Sequence, residues 1–257
     1  MRIVIKVGTS TLAHPSGRMN IRRTRALCRV LSDIKNMGND VILVTSGAIG
    51  MGMGKLSLRE RPADIATKQA VAAIGQCDLM YTYDKFFSEY HHTIAQLLLT
   101  AEDFESEDRH ENLSATLGRL LSLGVLPIVN ENDTVATEEI KVGDNDTLSA
   151  LVAVSAGADI LVLLSDIDGL FTADPRKDAS ARLIREVREI NEDLYARAGD
   201  AGSLFGTGGM ATKLKAAKIA TDGGCDMVIA NGRDPEILYA ILGGGDCDHT
   251  RFFAKGN

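Results

Sequence analysis

Apolar residues fall along this chain in short dense runs, separated by longer stretches in which they recur every three or four positions. The runs at residues 3–7, 41–45, 93–98, 125–130, 160–164 and 227–230 are rich in Val, Ile and Leu and nearly unbroken by polar residues. Strands buried on both faces, as in parallel sheets, read this way. The stretches at 22–37, 64–90, 112–123, 147–156, 211–223 and 235–242 carry the helical period instead. Their alternation predicts right-handed crossovers and an α/β fold, a three-layer αβα sandwich around a mainly parallel central sheet. No internal repeat, low-complexity segment or Pro- or Ser-rich linker interrupts it, so residues 1–257 are expected to form a single domain.

One segment departs from the rhythm. Thr134-Val135-Ala136 and Glu139-Ile140-Lys141 fit the two arms of a small hairpin inserted between a strand and a helix. Open α/β sheets bind ligands near the carboxyl ends of their strands, so the insertion lies where a site is expected.

Charge and composition narrow the function. Lys plus Arg total 28 against 35 Asp plus Glu, a net charge of −7, which disfavours sequence-independent binding of nucleic acid. No apolar run approaches the ~18–20 residues that cross a bilayer, and no signal-peptide cleavage site follows the N-terminus. Cys28, Cys77, Cys225 and Cys247 are widely spaced and form no CxxC pair; they read as reduced thiols of a cytoplasmic protein. Glycine is abundant (25 residues) while Pro is scarce (5), so the glycines belong to turns rather than to a disordered composition.

Several of those glycines follow predicted strands. Lys6-Val7-Gly8-Thr9-Ser10 places a charge inside an otherwise apolar strand. That is costly unless Lys6 faces a polar site, or unless the strand is an edge and Lys6 guards it. Val44-Thr45-Ser46-Gly47-Ala48-Ile49-Gly50 runs from a strand into small residues and a helix start, which suits an anion. The downstream glycines lack the Walker spacing, and the zinc motifs HExxH and CxxC…H are absent; no metal-ligating residue is assigned. Gly206-Thr207-Gly208-Gly209-Met210-Ala211-Thr212-Lys213 fits G-x-G-x-x-A but lacks a preceding strand. It reads either as a helix N-terminus that takes a polyphosphate, with Lys213 one turn in, or as a structural linker.

Asn130-Glu131-Asn132-Asp133 and Gly143-Asp144-Asn145-Asp146-Thr147 bracket the inserted segment, and six of these nine residues are Asp or Asn. Turn and cap chemistry explains part of this, with Asp146 as a cap for a helix starting at Thr147. Two dense clusters exceed what capping needs and suit a ligand rich in donor groups. Lysines, anion cradles and an amide–acid cluster together point to phosphoryl transfer.

Ser165-Asp166-Ile167-Asp168-Gly169-Leu170-Phe171-Thr172-Ala173-Asp174-Pro175-Arg176 resembles the nucleotide-side signature of the amino acid kinase family. The resemblance extends through the Lys6 and Ser46 turns, residues 129–150 and residues 206–213, over essentially the whole chain. It implies the branch that phosphorylates the γ-carboxylate of L-glutamate with ATP and Mg²⁺, giving L-glutamyl 5-phosphate, the first step of proline biosynthesis. Acetylglutamate kinases and aspartokinases tend to carry a double glycine where this chain has Gly8-Thr9. The resemblance further implies that Lys6 and Lys213 neutralise the transferring phosphoryl group, with Asp146 holding both ammonium groups. Ser46, Asp133 and Asn145 would bind glutamate, with Asn130 and Asp144 as neighbours. Lys6, Ser165, Asp166, Thr207, Gly208, Gly209, Met210, Ala211, Thr212 and Lys213 would contact ATP. It also implies a homo-oligomer and feedback inhibition by proline. Many relatives continue into a PUA domain, which this chain is expected to lack.

Overall fold

The computed structural model describes residues 1–14, 18–136, 144–192, 194 and 209–255. In chain order the elements are β1 (Arg2–Val7), α1 (Thr9–Leu12), α2 (Ile21–Asn36), β2 (Asp40–Val44), α3 (Ala48–Leu56), α4 (Ile65–Ser88), β3 (Ile94–Leu99), α5 (Glu102–Glu105), α6 (Glu107–Ser122) and β4 (Leu126–Glu131). There follow α7 (Asn145–Ser155), β5 (Ile160–Ser165), β6 (Leu170–Phe171), β7 (Leu183–Ile184), β8 (Glu186–Val187), α8 (Met210–Asp222), β9 (Asp226–Asn231), α9 (Ile237–Gly243) and β10 (His249–Phe252).

Eight strands form one sheet in the order β3-β4-β2-β1-β5-β9-β10-β8, and β6 pairs with β7 as a separate ribbon. From β3 to β9 every pairing is parallel, while β10 runs antiparallel to β9. The expected αβα sandwich is therefore the observed architecture. The run at His249–Phe252 carries no apolar strand signal because one of its two buried positions is Thr250, which leaves Phe252 as its one apolar residue.

Strand parity decides what each face of the sheet meets. Ile3, Ile5, Val41, Leu43, Val162 and Leu164 pack with Leu27 and Leu31 of α2, Leu79 and Tyr83 of α4 and Leu238 of α9. Val4, Ile42, Val44, Leu161 and Leu163 pack on the other face with Leu117 of α6, Leu148 and Val152 of α7 and Leu214 and Ala217 of α8. Lys6 shares the parity of Val4, so it projects toward the layer of α7 and α8. Because β1 lies between β2 and β5, Lys6 is no edge guard.

The chain passes from β1 to β2, out to β3 and back to β4 between them, then crosses to β5 and β9 on the other side of β1. The reversal occurs around β1, where open α/β sheets form their ligand crevice. Two helices meet unusually closely on the β2 side. A Cβ at Gly75 of α4 would lie 1.8 Å from the Ala48 carbonyl oxygen, and one at Gly52 of α3 would lie 1.9 Å from that of Val71. Glycine at both positions is what lets α3 lie against α4. Among the described residues no helix is long and apolar enough to cross a membrane.

Candidate active site

The carboxyl ends of β1, β2, β4 and β5 converge with the N-terminal ends of α7 and α8. At their centre, Lys6 Nζ lies 2.5 Å from Asp146 Oδ1 and Lys213 Nζ lies 3.0 Å from Asp146 Oδ2. The Asp146 side chain is 2% exposed, while the two lysines keep 13% and 10%. Burial pushes the Asp146 carboxyl up, but the two ammonium groups outweigh it and draw its pKa down to about 2. Two ammonium groups against one carboxylate leave the cluster one positive charge in excess, partly open to a ligand. The Thr212 hydroxyl completes the group, 3.3 Å from Asp146 Oδ2 and 2.8 Å from the Gly209 carbonyl oxygen.

Local sequence explains why these groups meet. Helix α7 starts at Asn145, with Asp144 as its N-cap: Asp144 Oδ1 accepts from the Thr147 backbone N–H at 2.8 Å and Oδ2 from the Thr147 hydroxyl at 2.9 Å. The expectation that Asp146 caps a helix starting at Thr147 is thereby corrected. A cap side chain must turn back onto the helix end, whereas Asp146, inside the first turn, is free to reach the lysines. Gly209 is the N-cap of α8, which sets Met210, Ala211, Thr212 and Lys213 in its first turn. Thr207 and Gly208 lie outside the described residues.

On the β2–β4 side, the Asn145 Nδ2 group donates to the Thr45 carbonyl, to Ser46 Oγ at 2.8 Å and to Asn130 Oδ1 at 2.9 Å. Ser46 and Asn145, predicted from separate segments, are thus direct partners. The turn that carries Ser46 requires Gly47 (φ +103°), a left-handed backbone that side chains disfavour. Asp133 lies in a turn just beyond β4, in which the backbone N–H groups of Val135 and Ala136 both donate to the Asn132 carbonyl. Thr134-Val135-Ala136 is therefore a turn rather than a hairpin arm, and Glu139-Ile140-Lys141 lies outside the described residues.

On the β5 side, Ser165 ends its strand one residue past the Val7–Leu164 pairing. Its hydroxyl donates to Asp166 Oδ1 at 3.3 Å, and Asp166 also pairs with Arg176 at 3.1 Å on the surface. Gln76 is a participant that sequence reasoning missed. It is 9% exposed, and its Oε1 accepts from Asn130 Nδ2 at 2.9 Å. A signal for it existed: Gln69, Gln76 and Tyr83 recur at seven-residue spacing along an otherwise apolar helix face. Among the described residues no group of three or more His, Cys, Asp or Glu could hold a metal ion.

The sequence profile of the amino acid kinase family matches residues 1–231. The chain is 53% identical over 258 residues to glutamate 5-kinase of Clostridium perfringens, covering 99% of this chain and 96% of that protein. It is 55% identical over 244 residues to glutamate 5-kinase of Caldanaerobacter subterraneus subsp. tengcongensis, covering 95% of this chain but 66% of that longer relative. Among solved structures, the UMP kinase of Ureaplasma parvum superposes with a TM-score of 0.68 at 13% identity, covering 98% of each chain.

Proposed function

The chain belongs to the amino acid kinase family, and we propose that it transfers the γ-phosphoryl group of ATP to the γ-carboxylate of L-glutamate. A carboxylate oxygen attacks the γ-phosphorus, the bond to the bridging oxygen breaks, and ADP and L-glutamyl 5-phosphate form. The observation that carries this reading is the buried Lys6–Asp146–Lys213 cluster. The identity to curated glutamate 5-kinases supports the acceptor.

The chemistry requires little proton handling. A γ-carboxylate is ionised at neutral pH, so no general base has to generate the nucleophile. The barrier lies in bringing two anions together, and Lys6 and Lys213 meet that charge in a partly desolvated site. Asp146 keeps both ammonium groups fixed, so they need not reorganise as charge moves. Ser46, Asp133 and Asn145 orient the glutamate. The two Asn145 Nδ2 hydrogens are shared among three protein acceptors, which leaves Oδ1 to accept from the substrate ammonium. Lys6, Ser165, Asp166 and residues 207–213 take the nucleotide.

Mg²⁺ fits this site as part of the ATP complex. In such sites phosphate and water oxygens supply most of the coordination, so no cage of protein carboxylates is needed. Bound there, the ion would screen the phosphate charge. Residues 1–257 act as one kinase domain on this reading, since β1 and β10 belong to the same sheet. Assembly as a homo-oligomer and inhibition by proline, which shares an α-carboxylate and an amino group with glutamate, belong to the same proposal.

The test is to incubate the protein with ATP, Mg²⁺ and L-glutamate and to trap the acyl phosphate with hydroxylamine. γ-Glutamyl hydroxamate is the expected product. Equal or faster turnover of N-acetylglutamate would assign the chain to another branch of the family.

A further inference from the structure

Helix α4 touches the acceptor side of the site at three levels, two helical turns apart. Gln69 Nε2 donates to the Ala136 carbonyl at 3.3 Å, beyond the Asp133 turn. Gln76 Oε1 accepts from Asn130, and the Tyr83 hydroxyl lies 2.8 Å from Thr45 Oγ1. Gln76 and Tyr83 are buried, where polar side chains are costly unless they serve a partner. Each serves a segment that carries a predicted substrate-binding residue or its neighbour.

The middle contact has a defined polarity. A backbone carbonyl can only accept, so the Asn145 amide must present Nδ2 to Thr45. The same Nδ2 reaches Asn130, which must therefore present Oδ1 to it. That turns Asn130 Nδ2 toward α4, where a hydrogen-bond acceptor is needed, and Gln76 Oε1 supplies it. Gln76 Nε2 has no partner among the described residues. The oxygen of Gln76 is thus the end that the network uses.

We propose that Gln76 is a positioning residue for the phosphoryl acceptor: by accepting from Asn130 it locks the Gln76–Asn130–Asn145 amide chain in the one orientation that leaves Asn145 Oδ1 to the substrate. This inference rests on the assignment of the Asn145 side of the site to glutamate. Without the acceptor at position 76, Asn130 can rotate its amide so that Oδ1 no longer faces Asn145 Nδ2, and Asn145 loses one of the acceptors that hold it in place. The acceptor amino acid is then held less well, while the Lys6–Asp146–Lys213 cluster is untouched.

The experiment compares Gln76→Met, which keeps side-chain length and removes the acceptor, with the parent enzyme. The expected result is a rise of about tenfold in KM for glutamate, the scale of one buried donor left unpaired. KM for ATP should stay within about twofold, since no ATP-side contact is altered. In an Asn130→Ala background the same substitution should have no further effect on glutamate KM. An unchanged glutamate KM, an equal rise in both KM values, or a full additional effect in the Asn130→Ala background would overturn the proposal. A crystal structure of Gln76→Met tests the relay without any substrate. Asn145 displaced from Ser46 supports the relay, and Asn145 unmoved refutes it. If the parent protein forms no acyl phosphate from glutamate, the functional reading falls, and this structure alone decides the relay.

Discussion

Lys6 Nζ stands 2.5 Å from Asp146 Oδ1, although one residue lies on the first strand and the other on a helix some 140 residues later. Neither group is well solvated, and buried ion pairs are weak contributors to stability because desolvation offsets attraction. Retaining two lysines around one carboxylate is better understood as preorganisation. Positive charge is held in place before the anions arrive, and the fold carries the cost.

Replacing Lys213 by Ala separates these roles. Asp146 keeps its contact with Lys6, so the fold should survive with a thermal midpoint close to the parent. One of the two cations facing the phosphoryl group is lost, and kcat should fall at least ~100-fold, the scale of removing one electrostatic contact to a transition state. Steady-state ATP turnover with glutamate, measured beside thermal unfolding, checks both halves. Near-normal kcat would overturn the assigned role.

The acid limb of stability should carry the signature of Asp146. Its folded pKa of about 2 lies below the usual carboxylate value, so the unfolded chain takes up the proton more readily than the fold does. The stabilisation is therefore complete above about pH 4–5 and is lost as pH falls toward 2, by on the order of 2 kcal/mol. Asp146→Asn removes this dependence and leaves two ammonium groups unpaired. The stability gap between parent and variant, from urea unfolding, should be widest near neutrality and should narrow steadily below pH 4. A gap independent of pH would show that folding leaves the Asp146 pKa at its unfolded value, against the pull of the two lysines.

How much of this was legible in the sequence follows from which interactions are local. Apolar runs marked β1, β2, β4, β5 and β9 because strands buried on both faces leave few polar positions; β3, at the sheet edge, carried the same signal although it is only partly buried and exposes Gln96. The same rule exposed Lys6 as an exception, and the parity of β1 then decides which helix layer it faces. The strand order was not legible: whether β1 is central or an edge depends on pairings across more than a hundred residues. Asp146 was assigned to the site by resemblance, yet its local reading as a cap was displaced, because Asp144 competes for that job with equal chemistry. Gln76 escaped notice because the Asn130 that explains its polarity lies 54 residues away.

Asp144 should prove separable from its neighbours. It satisfies the backbone N–H and the hydroxyl of Thr147, and removing an N-cap typically costs ~1 kcal/mol. Asp144→Ala should lower stability by about that amount and also reduce activity, since Asn145 and Asp146 occupy the turn it caps. Asp144→Ser, which retains capping ability, should recover most of the stability in chemical denaturation. If Ser is no better than Ala, the carboxylate serves a purpose other than capping.

Two glycine-to-alanine substitutions should move stability in opposite directions. At Gly75 a methyl group would lie 1.8 Å from the Ala48 carbonyl oxygen and 2.4 Å from the Gly52 nitrogen. Both obstacles are backbone, so α3 and α4 must separate, and overpacking of this kind costs at least ~1–3 kcal/mol. The displacement also reaches the turn at Ser46 and Gly47, from which α3 starts, so glutamate KM should rise with the loss of stability. Gly118 sits inside α6, and a methyl group added there would meet nothing within 4 Å. At that position Ala only restricts the unfolded chain and favours the helix, a gain of about 0.5–1 kcal/mol with kinetics unchanged. Urea unfolding of both variants, with glutamate KM measured alongside, checks the pair. A Gly75→Ala protein as stable as its parent would mean that the close approach of α3 to α4 does not hold the acceptor turn in place.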